Sequence, residues 1–231
     1  MKMQHFDSST ALNDAFAADI AARLQQAIET RGQAVFVVSG GKTPLPLFKA
    51  LAQTDLDWSK VVITLADDRW LPEQHPDSNE GLVKANLLQH KAAAAHFVSL
   101  FDATHQDDAF AGCAVIAERV KGLATFDVLI LGMGEDGHTA SLFPCSEQIQ
   151  AGLADNAPDV LAVQPATAPY QRISFSKKRL LDSRQIYIHL VGEKKLTVLQ
   201  QAEAGPDASE MPIRAILQQQ LVPVTVNFAA S

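Results

Sequence analysis

Four near-continuous apolar runs constrain this chain more than any other feature of it. Residues 34–39 (AVFVVS), 61–67 (VVITLAD), 127–133 (DVLILGM) and 185–191 (QIYIHLV) lack the alternation of a strand with one wet face. Runs of this length, rich in Val, Ile and Leu, fit strands buried on both faces, as in a parallel sheet covered by helices. HFVSL at 96–100 and DVLAVQ at 159–164 are weaker strand candidates. QRISFS at 171–176 alternates and reads as an edge or antiparallel strand, and VPVTVNF at 222–228 is placed to close the sheet. Between the runs, Leu12, Phe16, Ile20, Leu24 and Ile28 recur every four residues, with Asp7, Ser8 and Ser9 as N-caps and Gly32 as a stop. Further helices are predicted near 44–52, 79–89, 106–122, 177–182, 194–203 and 211–219.

Alternating strands and helices predict an α/β fold: one domain over residues 1–231, with a central, mostly parallel sheet flanked by helices on both faces. A (β/α)₈ barrel, usually about 250 residues, fits less well, because 140–176 is irregular. No repeat or low-complexity linker divides the chain. With 19 Lys and Arg against 26 Asp and Glu, the net charge is −7. That disfavours non-specific binding to nucleic acid or to an anionic membrane surface. Cys113 and Cys145 form neither a disulfide framework nor a CxxC zinc pair. MKMQHFDSST lacks the apolar core of a secretion signal, and no run approaches the ~18 apolar residues of a membrane span. The expectation is a cytoplasmic protein acting on a small molecule.

In open α/β sheets, ligands bind beyond the carboxyl ends of the strands. Three strand ends here carry unusual polar chemistry: Ser39–Pro44, Asp67–Asn79 and Gly132–Pro144. The first, SGGKTP, offers two glycines for a tight turn and Pro44 to open a helix, whose N-terminus attracts anions. It is not a Walker loop, since Phe36 stands where that motif needs glycine. The simpler reading is a ligand-free turn. The second, DDRW, places Asp67 and Asp68 beside Arg69, which can offset their repulsion and bind carboxylate or phosphate through two hydrogen bonds. A solvated charged turn is the alternative. Asn79 is placed to cap a helix running to Leu88.

The third strand end, GMGEDGH, contains GxGxxG. The dinucleotide reading fails: Pro144 stops any following helix within two turns, and Asp155 and Asp159 precede the next strand instead of ending it. His138 is more telling, because it follows two glycine turns at a strand's carboxyl end, with Asp136 two residues earlier. Histidine exchanges protons near neutral pH. The other six histidines, His5, His75, His90, His96, His105 and His189, have no comparable setting, and HExxH is absent.

Together SGGKTP (39–44), DDRWLPEQHPDSN (67–79) and GMGEDGHTASLFP (132–144) resemble the 6-phosphogluconolactonase family of the oxidative pentose phosphate pathway. PYQRISFS (169–176) and GEKK (192–195) also fit, so the resemblance runs collinearly over most of the chain. GMGEDGHTASLFP is its specific part. Position 68 is often glutamate in the family and is aspartate here; position 42, here lysine, varies. The related glucosamine-6-phosphate deaminases share the SGG loop and the DGH element. Theirs continues into Asn-Glu-Pro, and they tend to have tyrosine where this chain has Arg69.

The resemblance implies a Rossmann-like fold, no metal or organic cofactor, and hydrolysis of a phosphorylated sugar lactone. No GxSxG nucleophile is present, so direct water attack is the simpler chemistry. His138 is then the candidate base, with Asp136 or Asp67 orienting it or the substrate, and Arg69 steadying negative charge near the lactone. Ser39, Gly40, Gly41, Lys42 and Thr43 would hold the phosphate, with Arg172 and Lys195 adding positive charge. The competing functions are a sugar-phosphate deaminase or isomerase and a non-catalytic sugar-phosphate sensor. The sensor is expected to carry a DNA-binding segment, for which the α/β pattern leaves no room.

Overall fold

The structure is a computed structural model describing residues 1–231. Its strands are β1 (Lys2–Phe6), β2 (Ala34–Val38), β3 (Val61–Leu65), β4 (Asp67–Arg69), β5 (His96–Val98), β6 (Val128–Leu131), β7 (Val160–Val163), β8 (Arg172–Phe175), β9 (Ile186–Val191) and β10 (Val224–Ala229). Its helices are α1 (Ser9–Arg31), α2 (Leu45–Ala52), α3 (Asn79–Asn86), α4 (Ala109–Val120), α5 (Ile149–Leu153), α6 (Lys177–Leu181), α7 (Glu193–Ala204) and α8 (Arg214–Leu217). Seven strands form a wholly parallel sheet in the order β1-β10-β9-β6-β2-β3-β5. β4, β8 and β7 form a separate antiparallel sheet.

The strand order explains where a ligand can sit. From β1 through β2 and β3 to β5 the chain advances across the sheet in one direction; from β6 through β9 to β10 it advances in the other. Right-handed crossovers then place α1 and α2 on one face and α7 and α8 on the other. β2 and β6 are neighbours with opposite onward directions, so a crevice opens between their carboxyl ends.

The buried runs became the central strands because every residue of β2 and β6 is buried. In α1 the side chain of Ser8 accepts from the N–H of Ala11 and Gly32 ends the helix at φ 79, conformations expected of a short polar cap and a glycine. The stripe Leu12, Phe16, Ile20, Leu24 and Ile28 is buried. One core cluster of 60 residues includes Ile173, Phe175 and Leu161, so the small sheet shares the core of the large one. No helix is long and apolar enough to cross a membrane.

Several expectations need correction. Residues 222–228 do not close the sheet: β10 pairs with β9 on one side and with β1 on the other. β1 (KMQHF) is an edge strand and only partly buried, so it carries no apolar run. DDR is a strand rather than a solvated turn; the chain bends at Ala66, whose carbonyl accepts from Phe175 N–H, and goes on to pair with β8. Ser78, not Asn79, caps α3, accepting from Gly81 N–H, and α3 ends at Asn86.

Candidate active site

A cavity of ≈ 320 Å³ lies at the switch point between β2 and β6, within the usual size of a small-molecule site. All three polar strand ends reach it. Ser39, Gly40, Gly41 and Thr43 come from the loop after β2, Asp67 and Arg69 from β4, and His138 from the loop after β6. Arg172 on β8 and Lys195 on α7 complete the set. Lys42 does not join it. Gly41 turns the chain at φ 95, and Lys42 beyond that turn is exposed and outside the cavity wall. Asp136 also lies off the wall, behind His138.

The loop after β6 is a chain of tight turns with no helix before α5, so the dinucleotide reading fails in the structure as well. Gly134 N–H donates to the His138 carbonyl at 2.8 Å and Gly137 adopts φ 76. Asp136 Oδ1 accepts from the backbone N–H of His138 at 3.1 Å and lies 2.6 Å from its Nδ1. With Nδ1–H donating to that carboxylate, the imidazole is fixed in the tautomer whose Nε2 lone pair is free. Burial raises the proton affinity of Asp136, but the hydrogen bond and charge of His138 outweigh it and hold the carboxyl below its usual range. Between the two acids left open by the sequence, Asp136 is the one bonded to His138. Asp67 instead accepts from the Ser141 hydroxyl.

β4 alternates, and that sorts its charges. Asp67 and Arg69 line the cavity. Asp68 accepts from the N–H groups of Arg69, Asn79 and Glu80 at 2.7, 2.8 and 2.9 Å, tying α3 to the strand. Burial pushes its carboxyl up to about 7 against those three donors. Arg69 stands directly opposite Arg172 in the β4–β8 register. Like charges placed this way repel. No carboxylate pairs with either: Arg69 Nη1 donates to the Asp77 carbonyl at 2.6 Å, Arg172 Nη2 makes one long contact of 3.4 Å to the Pro169 carbonyl, and both Nε atoms are buried without a partner. Burial further disfavours the charge on Arg172. Two opposed guanidinium groups without a carboxylate partner thus place positive charge on the cavity wall beside the glycine loop. Lys195 Nζ donates to the Met133 carbonyl at 2.7 Å at the cavity edge.

Three residues were missed in the sequence. Asn79 lines the cavity and packs against Gly40 so closely that a Cβ there would fall 2.0 Å from its Oδ1. Phe143 stacks on His138. His189, set aside for want of a setting, lines the cavity from β9, and both its ring nitrogens are buried without partners. Its place at the end of a buried strand run was the available signal. No group of three or more His, Cys, Asp or Glu is gathered in metal-binding geometry.

Burial pushes the His189 pKa down to about 4. Unfolded histidine titrates near 6.5. Between these values the unfolded chain binds more protons, so His189 lowers stability as pH falls from about 6.5 to about 4, by roughly 3 kcal/mol in all. In His189→Leu that part of the acid destabilisation should vanish. Urea midpoints at pH 7.5 and 4.5 test this; an unchanged difference between them would contradict the burial of a neutral imidazole.

Residues 7–225 match the family of glucosamine-6-phosphate isomerases and 6-phosphogluconolactonases. The 6-phosphogluconolactonase of Pseudomonas putida is 42% identical over 222 residues, covering 96% of this chain and 91% of that protein. That of Rhizobium meliloti is 42% identical over 229 residues, covering 98% of each. A crystal structure of a 6-phosphogluconolactonase from Shewanella baltica superposes with a TM-score of 0.97 at 46% identity, covering 100% of this chain and 98% of that one. A monomeric glucosamine-6-phosphate deaminase shares the fold, with a TM-score of 0.79 at 18% identity over 99% of this chain and 97% of its own.

Proposed function

The chain belongs to the glucosamine-6-phosphate isomerase and 6-phosphogluconolactonase family, and from that premise we propose that it hydrolyses 6-phospho-D-glucono-1,5-lactone to 6-phospho-D-gluconate. Water attacks the lactone carbonyl while His138 Nε2 takes its proton. Asp136 holds the ring in the reacting tautomer and steadies the imidazolium. The tetrahedral intermediate carries an oxyanion, which Arg69 steadies from the cavity wall. The ring C–O bond then breaks, the departing oxygen takes the proton back from His138, and the free acid loses a proton to give gluconate. Asp67, held by Ser141, accepts from sugar hydroxyls. The phosphate sits on the Ser39–Thr43 loop, with Arg172 and Lys195 as its cations.

The observation that supports this reading is the cavity shared by a histidine with its Nδ1 occupied and an arginine pair with no carboxylate. Loss of lactone in the presence of the protein, measured against a blank, tests it. Ammonia release from glucosamine 6-phosphate without lactone hydrolysis would favour the deaminase instead. The loop continues as Ser141-Leu142-Phe143-Pro144, the lactonase form.

Gly134 gives a separate test of the base. A Cβ there would fall 2.1 Å from His138 Nδ1 and 2.6 Å from Asp136 Oδ1. Gly134→Ala must therefore displace the His138 ring and the Asp136 carboxylate. Misplacing a base by about 1 Å lowers turnover on the order of 10²-fold. Turnover and thermal midpoint measured together check this: normal turnover in a folded variant would show that the contact is not needed.

A further inference from the structure

Phe143 is buried, at 3% exposure, on an irregular stretch of backbone. That stretch is pinned on both sides. Ser141 N–H donates to Ser174 Oγ on β8 at 3.1 Å, and the Phe143 carbonyl accepts from the Ser146 N–H at 3.1 Å. The backbone that carries the ring is therefore held in place.

Two functional groups lie against it. The His138 imidazole stacks at 4.1 Å between centroids and 25° between planes. The Arg172 guanidinium carbon lies 4.9 Å over the same ring. Both groups line the cavity while Phe143 does not, so one buried ring touches the two of them from outside the cavity wall. Each needs what the ring supplies. Asp136 fixes one edge of the imidazole but leaves its plane to be set by the stack. Arg172 has no ion pair and only the one long hydrogen bond, so the aromatic face is its main anchor and its remaining donors stay available.

We propose that Phe143 is a positioning residue that couples the base to the anion anchor, setting the separation between His138 and Arg172 and so aligning lactone attack with phosphate binding. The inference rests on the lactonase reading. An aliphatic side chain of similar size would fill the space and provide neither the stacking plane nor the cation-binding face.

Phe143→Leu should raise KM for 6-phosphogluconolactone about 2- to 30-fold, the span of a cation–π contact. It should also lower kcat on the order of 10-fold or more through the displaced imidazole. On gluconolactone without phosphate, only the kcat loss should remain. On an Arg172→Ala background, Phe143→Leu should no longer change KM. Phe143→Tyr, which keeps the ring, should recover most of both losses. Thermal melts establish that each variant is folded, and Phe143→Met is read in the same way should the leucine variant not fold. Wild-type kinetics in a folded leucine or methionine variant, or a tyrosine variant as impaired as the leucine one, would overturn the proposal. A wild-type protein without lactonase activity overturns the lactonase reading itself; an active wild type with an unaffected Phe143→Leu overturns only this coupling.

Discussion

Replacing His138 with asparagine is expected to lower catalysed lactone hydrolysis about 10²- to 10⁴-fold, the usual contribution of a positioned general base. Asparagine keeps polarity and approximate size while removing the proton acceptor. Binding of 6-phosphogluconate should survive, because the Ser39–Thr43 loop, Arg172 and Lys195 reach the cavity from other elements. Asp136→Asn should act in the same direction through the tautomer, since its Oδ1 is the acceptor 2.6 Å from Nδ1. Steady-state kinetics and product titration on the same preparations separate the two effects. Near-normal turnover in a folded His138→Asn protein would make His138 structural and leave Asp67 as the base facing the cavity.

Removing the substrate's phosphate is expected to have an effect of similar size. Hydrogen bonds to charged groups contribute roughly 1.5–3 kcal/mol each. Two of them lost together correspond to about 10²- to 10⁴-fold in kcat/KM. Gluconolactone should therefore be a far poorer substrate than its 6-phosphate. Arg172→Ala should weaken 6-phosphogluconate binding about 10- to 100-fold on the same reasoning. It should change turnover of gluconolactone much less. Lys42→Ala should leave both nearly unchanged, since Lys42 is exposed and off the cavity wall. Competition between the two lactones at low concentration measures the preference directly; equal turnover would remove the phosphate assignment.

The sequence was informative where physics is local. Continuous apolar runs mark strands buried on both faces, so β2, β3, β6 and β9 were legible together with the parallel sheet they form. The polar segments ending three of the runs were legible as one site, because open parallel sheets gather ligands at those ends. What was hidden depends on distant partners. Nothing near Asp67–Arg69 shows that this segment pairs with Arg172–Ser174, yet that register sets two arginines opposite each other. The side on which Lys42 emerges depends on the φ of Gly41, which composition does not show. β1 has no apolar signature because it lies at an edge. His189 has ordinary neighbours in sequence; its burial, its unpartnered nitrogens and its 5.4 Å contact with the Phe16 ring arise only in the fold.

Lactonase activity is tested most directly by the decay of freshly prepared 6-phosphogluconolactone, followed by lactone-specific detection with and without the protein. Lactones hydrolyse unaided, so the blank defines the baseline. A lactonase using His138 as its base should give decay far above the blank at catalytic protein concentration, falling towards it in His138→Asn. Decay equal to the blank for the folded wild-type protein would contradict lactonase activity.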